Sequence, residues 1–194
     1  YGPDPAACVD LVRSVCVASV LGNHDEAVAF ERDIDYLPRN AKKAVRHNRE
    51  QLSDDQLSWL AALPPLLEEH GCCFAHSSPK HPRRWLRLDT LNAALDQFDA
   101  FESDICFLGH THIPAIVSDR LGVLRVRPGH RFLVNVGSIG QPRDGDPRLS
   151  FGVFDADTFG FELVREAYDI ERTRQRIREE RLPRRLGKRL LIGQ

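Results

Sequence analysis

Methionine is absent from all 194 residues, so Tyr1 is not expected to be the natural start and the chain is expected to begin part-way through a longer protein. Long apolar runs are absent as well. Nothing approaches the roughly 18 residues of a membrane span; no signal peptide and no membrane partner are expected. Cysteine is scarce and unpatterned. Cys8, Cys16, Cys72, Cys73 and Cys106 are odd in number, contain no C-x-x-C, and include two chain neighbours ill-suited to one ordinary disulfide framework. Lying mostly in apolar runs, they read as buried thiols of a reducing compartment, and a cytoplasmic location is expected. A formal net charge of -1 leaves no global field to draw nucleic acid or a membrane surface. Internal repeats and low-complexity linkers are also lacking.

What is present suffices for one well-cored domain over 1–194, with 42% hydrophobic residues. One charge asymmetry stands out. From Asp169 onward nine Lys/Arg face four Asp/Glu, in a segment expected as a basic helix from 169 to about 181 and a Pro/Arg/Gly tail up to 194. Ile170 and Ile177, a heptad apart, give it a thin apolar face, so a docked surface helix is expected.

In chain order, Tyr1 to Pro5 is turn chemistry, with Asp4 placed to cap a helix over 6–14 and Pro5 at its first position. The β-branched run 15–20 predicts a buried strand. Helices are expected over 37–52 and 53–63, the second opened by a Ser53/Gln56 capping box and stopped by Pro64 and Pro65; together they predict a helical hairpin at 37–63. Residues 72–75 form another short strand, 80–88 are basic and irregular around Trp85, and 91–101 read as a helix capped by Asp89 or Thr90. A strand at 105–108 follows. Closely spaced strands are then expected at 115–118, 122–126, 132–136, 149–155 and 159–167, with antiparallel texture. Helices alternating with strands, then a meander, predict an α/β (α+β sandwich) fold: two mixed sheets face to face with helices on the outer faces.

Three of these strands end in ligand-type residues: Asn23, His24 and Asp25 after Gly22, His76 after Ala75, and His110 and His112 after Gly109. At strand ends, where open α/β sheets bind ligands, His-x-His presents two imidazoles on one side of an extended segment. Each also has a plain reading: Asn23 as a turn residue, His24 as a solvated side chain, His76 as a satisfied core histidine, Asp25 as a helix N-cap. It is the shared context, apolar strand, small residue, ligand, in three separate segments that points to one site.

Gly22, Asn23, His24 and Asp25, then Ala75 and His76, then Gly109, His110, Thr111 and His112 resemble the G-N-H-[DE]…H…G-H-x-H signature of the calcineurin-like metallophosphoesterases. The resemblance extends to residues 1–5, the 53–63 helix and residues 135–143, covers nearly the whole chain in order, and is to the bacterial cytoplasmic branch. It implies hydrolysis of phosphomonoesters or phosphodiesters at a two-metal site. Asn23, His76 and His110 would ligate one divalent ion and His112 the other. Imidazole and amide ligands suit Mn, Fe, Zn or Ni, with Mn favoured. His24 would protonate the leaving oxygen or stabilise the transition state, with Asp25 orienting its ring. Gly137, Ser138 and Arg143 are candidate substrate contacts through backbone N–H groups and a guanidinium; their plain reading is a tight turn, with Arg143 paired to Asp144 or Asp146. The expected partner is a phosphoester substrate, with nucleic acid expected only as substrate and an oligomer possible.

The family pattern also calls for D-x-H and a strand-terminal G-D. No Asp-x-His occurs, and the one Gly-Asp, Gly145 with Asp146, lies in a turn-rich loop. An N-terminal βα unit bearing these ligands is expected to be missing, leaving these 194 residues inactive by themselves. A catalytically inactive scaffold of the same fold is the alternative.

Overall fold

A computed structural model describes residues 2–32 and 34–194; Tyr1, part of the family-like opening segment, lies outside them. In chain order the elements are α1 (Pro5–Val15), α2 (Asn23–Phe30), α3 (Arg39–Gln51), α4 (Asp54–Ala62), β1 (Leu66–Glu69), β2 (Cys72–Ala75), α5 (Leu91–Leu95), β3 (Ile105–Leu108), β4 (Ala115–Ser118), β5 (Phe132–Asn135), β6 (Leu149–Asp155), β7 (Gly160–Glu166), α6 (Ile170–Glu179) and α7 (Arg184–Leu190). They form two units: the chain up to Pro64 with Asp169–Ile192, and Pro65–Tyr168 with Gly193–Gln194.

The first unit is helical. The capping box of α4 forms as expected: Ser53 Oγ accepts from the Gln56 N–H at 3.2 Å, and Gln56 Oε1 accepts from the Ser53 N–H at 3.0 Å. The Gln56 amide then donates to Asp10 Oδ1 at 2.8 Å and to the Ala6 carbonyl, tying α4 to α1. The hairpin needs correction. α3 and α4 each pack on α2, whose Ala27 and Val28 share a core with Val45 and Leu60. Asp4 does not cap α1 with its side chain; it accepts from Arg176 Nη2 at 2.7 Å instead. The predicted strand over 15–20 is absent. α1 runs through Val15, residues 16–20 enter no ladder, and Val17 is 99% exposed; a β-branched run becomes a strand only where another strand pairs with it. At the C-terminus α6 forms with Ile177 buried, but the expected tail is a helix. Leu182, Leu186 and Leu190, spaced by four, bury against Ile177 and Ala44.

The second unit holds a five-stranded mixed sheet, order β1-β2-β3-β5-β4, and a separate antiparallel ribbon of β6 and β7. β2, β3 and β5 run parallel, with Cys73 opposite Cys106 and Leu108 opposite Asn135. Alternation along these strands sorts the side chains. Cys73, Ala75, Cys106, Leu108 and Leu133 face Ala94 of α5, Phe98 and Phe101. Cys72, Ile105, Phe132 and Val134 face the ribbon's Phe154 and Phe161. The architecture is α/β, with two β layers packed face to face and a helix on the outer face of the larger one. The smaller layer is antiparallel rather than mixed, because the short link from Asp155 to Gly160 cannot make a parallel crossover.

Other local departures have local causes. β1 was not anticipated; it pairs with β2 through His70 and Gly71 at φ 51° and 72°, the two positive-φ positions of a tight hairpin turn. Residues 122–126 form no strand: Val123 and Val126 pack inward three apart, out of strand period, while Leu121 and Leu124 are 88% and 84% exposed. The helix expected over 91–101 stops at Leu95 and resumes as a single turn, Phe98–Ala100. All five cysteines are free; Cys72, Cys73 and Cys106 are buried, whereas Cys8 and Cys16 are exposed, correcting the expectation for those two. Among the described residues no helix is long and apolar enough to cross a membrane.

Candidate metal centre

The carboxyl ends of the parallel strands carry the histidines. β2 ends at Ala75 and delivers His76; β3 ends at Leu108 and delivers Gly109, His110, Thr111 and His112. The Gly109 N–H donates to the His76 carbonyl at 3.1 Å, which holds the two strand exits together. His76 Nε2 and His110 Nδ1 then stand 3.1 Å apart. Two nitrogens each about 2.1 Å from one ion at a right angle would be about 3.0 Å apart, so the spacing suits adjacent ligands of a single cation.

His112 is poised differently. Its Nδ1 donates to the Gln141 carbonyl at 2.6 Å. A carbonyl only accepts, so the proton sits on Nδ1 and the Nε2 lone pair is left for a ligand. The Arg143 N–H donates to the His112 carbonyl at 3.1 Å, and the Arg143 side chain donates through Nη2 to Gln141 Oε1 at 2.7 Å. Gln141 thus braces both His112 and Arg143. The carboxylates proposed for Arg143 have other partners: Asp144 pairs with Arg165, and Asp146 with Arg148 at 2.6 Å.

His110 and His112 both occupy the left-handed region, at φ 61° and 63°, which non-glycine residues adopt only where surrounding bonds impose it. Asn135 supplies those bonds. Its Nδ2 donates to the Gly109 carbonyl and to Thr111 Oγ1, and its Oδ1 accepts from the Gly137 N–H at 2.9 Å. This residue and Gln141 were missed as site residues although both lie in the family-like segment 135–143; the parallel register that puts Asn135 beside Leu108 carries no local signature. Asn135→Leu is expected to weaken metal binding about 10- to 100-fold, the cost of losing an outer-shell support, and metal titration of the folded variant checks it.

Electrostatics keep the imidazoles neutral. Burial first, then His110 and His112, pulls His76 down to about 3. Burial first, then Arg143, pulls His112 to about 4. His110 is lowered by burial and then by Arg87, although a hydrogen bond to the Trp85 backbone works the other way. Trp85 also lies edge-on to His76, ring centroids 5.8 Å apart. Neutral imidazoles offer their lone pairs to a metal without first losing a proton. Among the described residues no three His, Cys, Asp or Glu side chains are gathered as a metal cluster; the histidine pair is a partial set whose donor chemistry fits a divalent transition ion.

Gly137 and Ser138 form a turn whose amides are engaged internally, Gly137 with Asn135 and Ser138 N–H with Ser150 Oγ at 3.1 Å. Asn23, His24 and Asp25 belong to the helical unit. They form the first turn of α2 rather than the end of a strand, with Gly22 at the N-cap. Asp25 is the third helical residue, not the N-cap; its carboxylate accepts from the Gly22 N–H at 2.8 Å. Burial raises its pKa against that bond. His24 and Asp25 line a cavity of about 200 Å³ in this unit together with Cys8, Val28 and Asn48.

Comparison with known proteins identifies the family and the fold. Residues 3–158 match the calcineurin-like phosphoesterase superfamily domain. The chain is 36% identical over 207 aligned residues to an uncharacterized protein of Methanocaldococcus jannaschii, covering all of this chain and 82% of the relative. A crystal structure of a metallophosphoesterase from Sphaerobacter thermophilus superposes with a TM-score of 0.88 at 34% identity, covering 100% of this chain and 84% of the other. A hypothetical protein of Pyrococcus horikoshii shares the fold alone, at TM-score 0.78 and 20% identity over 100% of this chain and 81% of its own. The chain belongs to the calcineurin-like phosphoesterase superfamily, whose members hydrolyse phosphoesters with divalent metals.

Proposed function

We propose that the protein hydrolyses phosphomonoesters or phosphodiesters at a two-metal centre, and the observation that carries this reading is the 3.1 Å approach of His76 Nε2 to His110 Nδ1. In this reading His76 and His110 hold one ion and His112, through Nε2, belongs to the other. The family pattern adds Asn23 to the first ion, His24 as proton donor to the leaving oxygen, and Asp25 as its positioning residue. When bound, divalent ions polarise phosphoryl oxygens and activate the attacking water. The chain's own contribution is to hold neutral imidazoles in fixed tautomers and to set Arg143 beside them as a guanidinium for a phosphoryl oxygen. Manganese is the favoured metal and the cytoplasm the favoured compartment. The partner is a phosphoester substrate, nucleic acid included only as such, and self-association is compatible with the reading.

Metal-stripped protein that carries the family's D-x-H and G-D ligands together with these 194 residues, supplied with Mn and offered p-nitrophenyl phosphate and bis(p-nitrophenyl) phosphate, tests the proposal; the 194 residues by themselves, which contain no Asp-x-His, are expected to be inactive. Metal-dependent release of p-nitrophenol, lost in His112→Ala, is expected. Metal binding without turnover on either ester would favour the inactive scaffold instead.

The depressed imidazole pKa values add a pH prediction. An unshifted histidine, near 6.5, loses about tenfold in ligand availability by a pH of about 5.5. With His76 near 3 and His112 near 4, Mn affinity is expected to change less than about threefold between pH 5.5 and 8. A tenfold loss per histidine in metal titrations would count against the shifts. In the metal-free chain the sign is the same. The unfolded histidines protonate below about 6.5 while the folded ones resist, so folding stability falls as pH drops through that window toward about 3.

A further inference from the structure

The positive charge of the C-terminal segment is unevenly placed. Arg174 and Arg178 stand one turn apart on α6, and Arg184 and Lys188 one turn apart on α7. Both pairs line one cavity of about 350 Å³, completed by Ile177 and Gly187. The helices are fixed there by the apolar contact of Ile177 with Leu186 and Leu190. Gly187 lets them close, since a Cβ at that position would stand 3.2 Å from Arg174 Cγ.

Among the described residues, only Glu171 of the segment's carboxylates is paired with a residue of the cleft. Asp169 caps α6 through the Arg172 N–H, Glu171 pairs with Arg174, and Glu179 and Glu180 both pair with Arg176, which also holds Asp4. Among the described residues Arg178, Arg184 and Lys188 enter no ion pair. Like charges one turn apart repel, and four around one concavity with a single internal counter-charge favour a multivalent anion. The volume is that of a small-ligand pocket, whereas a nucleic-acid strand would need an extended basic stripe. Guanidinium forks match phosphate oxygens in pairs.

We infer that the α6–α7 cleft binds an oligophosphate group, inorganic or borne by a nucleotide, without a metal. The inference does not depend on the hydrolytic reading, because none of the residues proposed for that chemistry lines the cleft. Its test is calorimetric titration of inorganic triphosphate and of ATP into the metal-stripped chain at about 50 mM and about 200 mM NaCl, where screening separates charge-driven binding. Saturable binding that weakens with salt is expected. Arg178→Ala combined with Lys188→Ala should weaken it at least about tenfold, with the thermal transition unchanged because both side chains are exposed. Arg184→Gln should act in the same direction, and His110→Asn, which the left-handed backbone at that position tolerates, should leave binding intact. Equal affinity for the two probes would identify the phosphate chain as the ligand, and tighter ATP binding a nucleotide; either supports the site. No saturable binding, binding indifferent to the cleft variants, binding lost in His110→Asn, or binding confined to a single-stranded oligonucleotide would overturn it.

Discussion

Replacing His110 by alanine is expected to lower metal-dependent phosphoester turnover by about three orders of magnitude. In the proposed centre His110 Nδ1 is half of a donor pair, and its loss leaves His76 Nε2 facing a gap where a second nitrogen stood 3.1 Å away. Lewis-acid stabilisation by a metal contributes several kcal/mol, and each 1.36 kcal/mol is tenfold in rate, which gives about 10³. Alanine at φ 61° is also strained, so a folding defect could imitate a catalytic one. His110→Asn separates the two. Asparagine tolerates the left-handed region and offers an amide oxygen, so this variant should keep the wild-type thermal transition and part of the metal affinity while losing most of the rate. Turnover of His110→Ala equal to wild type, measured as kcat/KM with saturating Mn, would exclude His110 from the reacting centre.

The histidines were legible because their signal is local. His76 and His110 each follow a four-residue apolar strand, and the parallel pairing of β2 with β3 brings two such strand ends together. The residues that make the centre rigid were not legible in the same way. Asn135 acts through its register against Leu108, and Gln141 through a loop that returns 29 residues after His112; neither relation leaves a periodic trace. The same contrast runs through the fold. The Ser53/Gln56 box announces α4 within four residues. The run over 15–20 has strand composition without a ladder, and α2 begins at Asn23 because Asp25 satisfies the Gly22 N–H, a choice that composition alone does not make. Leu182, Leu186 and Leu190 do carry helical spacing, but their flanking Pro, Gly and Arg residues obscured it. Long-range pairing, not propensity, decides the run over 15–20 and the supports Asn135 and Gln141, whereas the start of α2 and the last helix depend on local signals.

Gly137→Ala is expected to destabilise the sheet-bearing unit by about 4 kcal/mol, two penalties adding at one atom. Gly137 has φ 80°, where alanine costs of order 1–2 kcal/mol. Its added Cβ would also fall 2.0 Å from Ser150 Oγ and 2.8 Å from Pro114 Cγ, and forcing a methyl into packed surroundings costs typically 1–3 kcal/mol. Ser150 cannot simply yield, because its hydroxyl donates to the Val136 carbonyl at 2.9 Å and accepts from the Ser138 N–H at 3.1 Å. Ser150→Ala alone should therefore cost about 1–2 kcal/mol for the bonds left unmade. In the double variant the clashing oxygen is gone, so the combined loss, from urea midpoints, should fall short of the sum by about 1 kcal/mol or more. Strict additivity would show that backbone strain at φ 80°, and not the Ser150 contact, sets the requirement for glycine. The consequence reaches the metal centre in either case, since the Gly137 N–H is held by Asn135, and the same Asn135 amide anchors Gly109 and Thr111 on either side of His110. A shifted Gly137 releases that clamp, so metal affinity should fall together with stability rather than independently of it.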